Sequence, residues 1–169
     1  GLAMKALSPL VFTVNGTLNN PATGVFILND SAGSVANSIQ GSGTFNNAGE
    51  FRKVLNSTVV NSSVLPVFNN LATGVVNVNS GVLTFAGTGT DPAGSVYNVA
   101  SGTTLQFSAS RGIAGDIAGA GNVSFISSGK TYALSGDYDI SGALQTSLTC
   151  CTASSVTFTG TVTNAGTSI

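Results

Sequence analysis

Apolar residues recur along this chain in short alternating runs rather than in long blocks. Leu83 and Phe85, Leu105 and Phe107, Tyr132 and Leu134, and Val156 and Phe158 each flank a single polar or small residue. A period of two puts every second side chain on the same side of a strand. Gly, Asn, Ser or Pro closes each run after a few residues. Gly supplies the backbone freedom that sharp corners need, and Asn tolerates it. The pattern predicts many short strands, each with one buried face.

These runs repeat. One family follows Gly24, Gly49, Gly74, Gly94, Gly121, Gly142 and Gly166, at steps of 25, 25, 20, 27, 21 and 24 residues. A second family precedes the first, at 16–20, 43–47, 66–70, 115–117, 136–140 and 160–164. A third follows it, at 81–85, 102–107, 129–134 and 155–159. Three short strands in each unit, stacked unit on unit, make a coil of triangular section. No helical crossover fits between such strands, so a doubly wound sheet is excluded.

The expected fold is all-β: a parallel β-helix, or β-solenoid, with about three strands per coil and six to seven coils. At the usual strand spacing this is a rod on the order of 30 Å long. An antiparallel β-sandwich is the alternative, but it gives no reason for a three-strand period. Residues 1–12 read as an N-terminal cap or a cloning remnant, with Leu7, Leu10 and Phe12 available to cover the first coil. Residues 13–169 read as one solenoid domain that stops mid-repeat, as a piece of a longer repeat chain would.

A Leu/Phe-Asn-Asn corner recurs at Asn19–Asn20, Asn46–Asn47 and Asn69–Asn70. In a solenoid, like residues lie above like residues. Their amides can stack in a ladder and bond from coil to coil. Asn also simply suits turns, and both readings keep it at a corner.

Composition narrows the functions. Charged residues are 7% of the chain, five Lys and Arg against six Asp and Glu, with no His and no Trp. Without His there is no imidazole base, no His metal ligand and no Ser-His-Asp triad. A net charge of -1 excludes an electrostatic nucleic-acid binder. No run approaches the ~18 apolar residues of a membrane-spanning helix. Cys150 and Cys151 read as small apolar strand residues, with a vicinal or interchain disulfide as the alternative. The five Asn-x-Ser/Thr sequons are about what this composition gives by chance.

Several stretches resemble the repeats of large secreted bacterial surface proteins: 43–49 (GTFNNAG), 80–85 (SGVLTF), 100–107 (ASGTTLQF) and 117–125 (IAGAGNVSF). Autotransporter passengers and filamentous-haemagglutinin-type adhesins are the families concerned. The resemblance covers roughly 13–166. It implies a right-handed parallel β-helix, export to the cell surface or medium, and a stalk or adhesive role. It carries over no catalytic motif.

Asp116, Asp137 and Asp139 are the candidate chemical site. Positions i and i+2 of a strand share a face, so Asp137 and Asp139 point outward with Tyr138 inward. Asp116 sits at the matching position one repeat earlier. Such oxygens would take calcium, if any metal, or form an acid/base pair; solvated strand ends are the plain alternative. Glu50, Arg52 and Lys53 read as a solvated patch or local ion pair, Arg111 and Lys130 as isolated, and Asp91-Pro92 as a turn. The Gly-rich stretch 115–121 lacks the Lys-Ser/Thr and helix of a phosphate cradle.

The favoured function is therefore an extracellular structural or adhesive module without catalysis. Its expected partners are further copies end to end, adjoining repeats of the same polypeptide, or glycans. The competing function is a carbohydrate-active or glycan-binding β-helix. Glycan platforms show exposed aromatics, and only Phe26, Phe51 and Tyr97 qualify as exceptions to inward placement. Ice binding would need Thr-x-Thr on nearly every coil, and it occurs only at 88–90, 157–159 and 161–163.

Overall fold

The computed structural model describes residues 2–5, 11–30, 37–55, 61–147, 154–164 and 167–168. Within them the chain winds through 23 short strands. After β1 (Leu2–Lys5), the first turn is β2 (Val11–Thr13), β3 (Thr17–Asn20) and β4 (Val25–Asp30). Then come β5 (Ser38–Gln40), β6 (Thr44–Asn47), β7 (Glu50–Leu55), β8 (Asn61–Val64), β9 (Val67–Asn70) and β10 (Val75–Val78). The middle holds β11 (Val82–Phe85), β12 (Thr90–Asp91), β13 (Val96–Val99), β14 (Thr104–Phe107), β15 (Arg111–Ile113) and β16 (Asp116–Gly119). The chain ends with β17 (Asn122–Ile126), β18 (Thr131–Leu134), β19 (Tyr138–Ile140), β20 (Ala143–Ser147), β21 (Ser155–Phe158), β22 (Val162–Asn164) and β23 (Thr167–Ser168).

Every third strand pairs with the next, always in parallel. One face is β1-β4-β7-β10-β13-β16-β19-β22, and a second is β2-β5-β8-β11-β14-β17-β20-β23. The third face comes in two pieces, β3-β6-β9 and β12-β15-β18-β21. The protein is thus a parallel β-solenoid. Its five inner turns, β5 to β19, are flanked by one further turn at each end.

The in–out alternation builds the core. β6, β9, β10, β11 and β14 each bury every second residue. Phe26, Phe45, Phe51, Phe68, Phe85, Phe107 and Phe125 form one continuous column, successive ring centroids 4.5 to 5.8 Å apart. Burying such rings dominates the stabilisation of a coil that cannot close on itself. Phe12 packs on Phe26 at 6.1 Å, while Leu7 and Leu10 lie outside the described residues, as do Cys150 and Cys151. Glycines serve where coils approach closely: a Cβ on Gly49 would lie 2.3 Å from the carbonyl oxygens of both Pro21 and Gly24.

The strand families need one correction. The segments after Gly121 and Gly142 do not continue the face of Gly24, Gly49, Gly74 and Gly94. β17 pairs with β14, and β20 with β17, so both lie on the second face. The first face continues instead through Asp116 and Tyr138, and 129–134 belongs to the third. The step of 27 between Gly94 and Gly121 is a change of face. All three faces carry the same alternation, so only pairing tells them apart. The two-residue β12 and the charged start of β15 hid the third face at that point.

Candidate functional site

Exposed charge gathers on the outward side of the first face. Two outward columns run along it. Val25, Glu50, Val75, Val96 and Asp116 form one. Ile27, Arg52, Asn77, Asn98, Ala118 and Asp139 form the other. Asp137 immediately precedes β19, one coil beyond Asp116, whose Oδ1 accepts the Asp137 backbone N–H at 2.9 Å. Asp116, Asp137 and Asp139 are exposed and Tyr138 is buried. Glu50 and these three are the exposed or half-buried carboxylates whose side chains are described, and all lie here. Asp139 stands beside Ala118 rather than beside a second acid. Among the described residues, no three His, Cys, Asp or Glu side chains group so as to hold a metal ion.

Lower on the same face, side chains bond to one another along the rod. Asn98 donates to Asn77 at 2.9 Å, and Asn77 to Glu50 Oε1 at 2.6 Å. Arg52 grips the same carboxylate with Nε at 2.7 Å and Nη2 at 2.5 Å. The Arg52 bonds hold the Glu50 carboxyl below its ordinary pKa against partial burial, and the Asn77 bond adds to them. A depressed carboxylate pKa stabilises the fold above the unfolded value, about 4.3, and that contribution is lost as pH falls. The melting-temperature gap between the parent and Glu50→Gln is therefore expected to be widest near neutrality. It should close as pH drops through the carboxylate range; a gap constant with pH would refute the assignment.

Lys53 is not part of this patch. It is fully buried, between Leu28 and Val78 in the stack, because its place on β7 is an inward one. The three aromatic exceptions are also inward: Phe26, Phe51 and Tyr97 are 2%, 0% and 0% exposed. Each is the second residue of its strand, where alternation turns the side chain in. The threonines form no array either, since Thr90 and Thr157 share a column interrupted by Gly112 and Ala133.

The asparagine pairs lie at strand ends rather than in the turns themselves, and they form two ladders. Asn19, Asn46 and Asn69 point outward; Asn69 donates to Asn46 at 2.8 Å and Asn46 to Asn19 at 2.9 Å. Asn20, Asn47 and Asn70 point inward, and their bonds run the other way. Asn20 donates to Asn47 at 2.7 Å, and Asn47 to Asn70 at 2.8 Å. Each inner amide also donates to a carbonyl on the first face, at Glu50, Val75 or Val96. One residue type thus knits the outside of a face and seals a corner inside.

Two residues read as a lone cation and a turn form the main buried polar cluster. Asp91 lies in β12 and Arg111 in β15, 2% and 4% exposed. Arg111 Nε donates to Asp91 Oδ2, and Nη2 to Asp91 Oδ1 at 2.8 Å. Tyr97 Oη donates to the same Oδ1 at 2.6 Å. Arg111 Nη2 also reaches the Phe68 carbonyl two strands back on the third face. The guanidinium lies 5.5 Å from the Phe85 ring centroid and 5.6 Å from that of Phe107. Gly89, just before β12, leaves the space for it. A Cβ there would stand 2.8 Å from Arg111 Nη2 and 1.8 Å from the Phe68 oxygen.

This cluster bridges the break between β9 and β12. Burial by itself would lower the Arg111 pKa, but Tyr97 and Asp91 outweigh it and hold it raised. Burial likewise raises the Tyr97 pKa, so the hydroxyl keeps the proton that it donates. The available signal was modest: Asp91 and Arg111 are 20 residues apart, one inner-coil repeat.

Compared with known proteins, the chain matches no family model, no curated sequence and no solved structure. No helix among the described residues is long and apolar enough to cross a membrane.

Proposed function

We propose that this chain is an extracellular structural or adhesive module, a segment of stalk, filament or adhesin, working without catalysis. Its resemblance to autotransporter passengers and filamentous-haemagglutinin-type adhesins points the same way. The observation that carries the reading is the use of polar side chains. The amides of both asparagine ladders and of the Asn98–Asn77–Glu50 row bond along the rod to their own neighbours. Such bonds stiffen a rod, and the outward amides of Asn19, Asn46, Asn69, Asn77 and Asn98 offer hydrogen bonds to glycans or to further repeats. Further copies end to end, or adjoining repeats of the same polypeptide, are the partners that this reading expects. Electron microscopy and light scattering across a concentration series, with a glycan array, test this. Concentration-dependent rods or saturable glycan binding supports it; monomers at every concentration with a blank array overturn it.

The second reading is a polysaccharide-active or calcium-dependent surface, favoured by the contact between Asp116 and Asp137. It requires that an activity found in a polysaccharide screen fall in both Asp137→Asn and Asp139→Asn. Activity indifferent to both removes this site.

A further inference from the structure

On the first face, β7 and β16 begin alike. Each opens with an acid pointing outward, Glu50 or Asp116, in the same column. Each continues with a buried apolar residue, Phe51 or Ile117. They part at the next outward position, which is Arg52 on β7 and Ala118 on β16. On β7 the acid is paired, because Arg52 holds Glu50 through two nitrogens at 2.7 and 2.5 Å. The position that supplies this guanidinium on β7 carries only a methyl group on β16.

Acceptors border the gap. Asn98, beside Ala118 in the register, donates to Asn77, and among the described residues nothing donates to its Oδ1. Asp139 stands on the other side of Ala118, in the same column. Asp116 gives Oδ1 to the Asp137 backbone N–H and keeps Oδ2 for another donor. Asp116 and Asp139 are both exposed, one strand and two residues apart, which sets them about 8 Å apart across the sheet. Alongside Ala118 runs a groove of about 300 Å³, lined in part by Asn79, Asn98, Ala100 and Ala120. The chain's own arginines are engaged elsewhere, Arg52 with Glu50 and Arg111 in the buried cluster.

We propose that this gap docks an arginine side chain of a partner protein. Its guanidinium would lie over Ala118, as that of Arg52 lies at the equivalent place on β7. It would donate to Asp116, to Asp139 and to Asn98 Oδ1. A planar fork with five N–H groups reaches acceptors on opposite sides of the gap, whereas an ammonium is a compact point charge. The aliphatic stem would lie in the groove against Ala100 and Ala120, since long cationic side chains cover apolar surface while the head stays in water. The partner is a protein with an exposed arginine, drawn to a groove with carboxylates on two sides. The inference goes beyond the structural or adhesive reading and stands without it.

The test uses the full chain at low salt, where screening is least, with a blocked Gly-Ala-Arg-Ala-Gly peptide. Its citrulline analogue keeps the shape of the side chain and loses the charge. NMR follows the Asn98 side-chain amide and the Ala118 methyl group. The arginine peptide is expected to shift both saturably, and the citrulline peptide to bind at least tenfold more weakly. Asp116→Asn keeps the acceptor for the Asp137 N–H, so it should melt like the parent yet weaken binding several-fold. Ala118→Arg places a guanidinium in the gap and should abolish the peptide shift at Asn98. Absence of a saturable shift at tens of millimolar peptide overturns the proposal. So does equal binding of the citrulline peptide, or undiminished binding in Asp116→Asn or in Ala118→Arg.

Discussion

Arg111→Met is expected to lower the unfolding free energy by about 3–5 kcal/mol, the range for breaking one side of a buried ion pair. The substitution strands the Asp91 carboxylate, whose side chain is 0% exposed, with Tyr97 as its main donor. It also leaves the Phe68 carbonyl without the guanidinium that crosses the gap from β15 to β9. Adding Asp91→Asn should recover much of the loss, because the uncompensated charge goes while the Tyr97 bond has an acceptor. A urea-unfolding double-mutant cycle measures this coupling directly. An Arg111→Met variant within about 1 kcal/mol of the parent, the size of an ordinary substitution, would mean that water reaches the cluster.

The asparagine ladders give the second large effect, and it should be unequal. Asn47→Ala leaves the Asn70 Oδ1 and the Val75 carbonyl without their donor, and takes the acceptor from one Asn20 N–H. Asn47 is fully buried, so water does not replace these bonds. At roughly 1–3 kcal/mol for each unsatisfied buried group, the three together predict a loss of at least about 3 kcal/mol. Asn46→Ala, one residue earlier on the solvent side, should cost no more than about 0.5 kcal/mol. Thermal melts of the two variants side by side check the contrast. Equal effects would mean that position in the strand, not burial of the amide, sets the value of a ladder.

How far the chain could be read in advance differed along its length. Leu83/Phe85 and Leu105/Phe107 declare themselves, because a two-residue period with bulky apolar side chains has one strand reading. The outward placement of Asp137 and Asp139 around an inward Tyr138 follows from the same period. Lys53, Phe26, Phe51 and Tyr97 all point inward, because the alternation of each strand outranks charge or aromatic character in setting where a side chain goes. Asp91 was read from its neighbour Pro92 as a turn, although β12 ends at Asp91.

By itself, the sequence determined the all-β class, the three-strand coil and the number of coils within one or two. Those are local or periodic properties, set by side-chain alternation and by the residues that allow tight corners. Only the tertiary structure decided which face each later strand joins, that Asp91, Tyr97 and Arg111 meet inside, and that the two asparagine ladders run in opposite directions. Each of these depends on what lies one coil away. That is a distance of about 4.8 Å across strands, but some twenty residues along a chain whose three faces carry the same pattern.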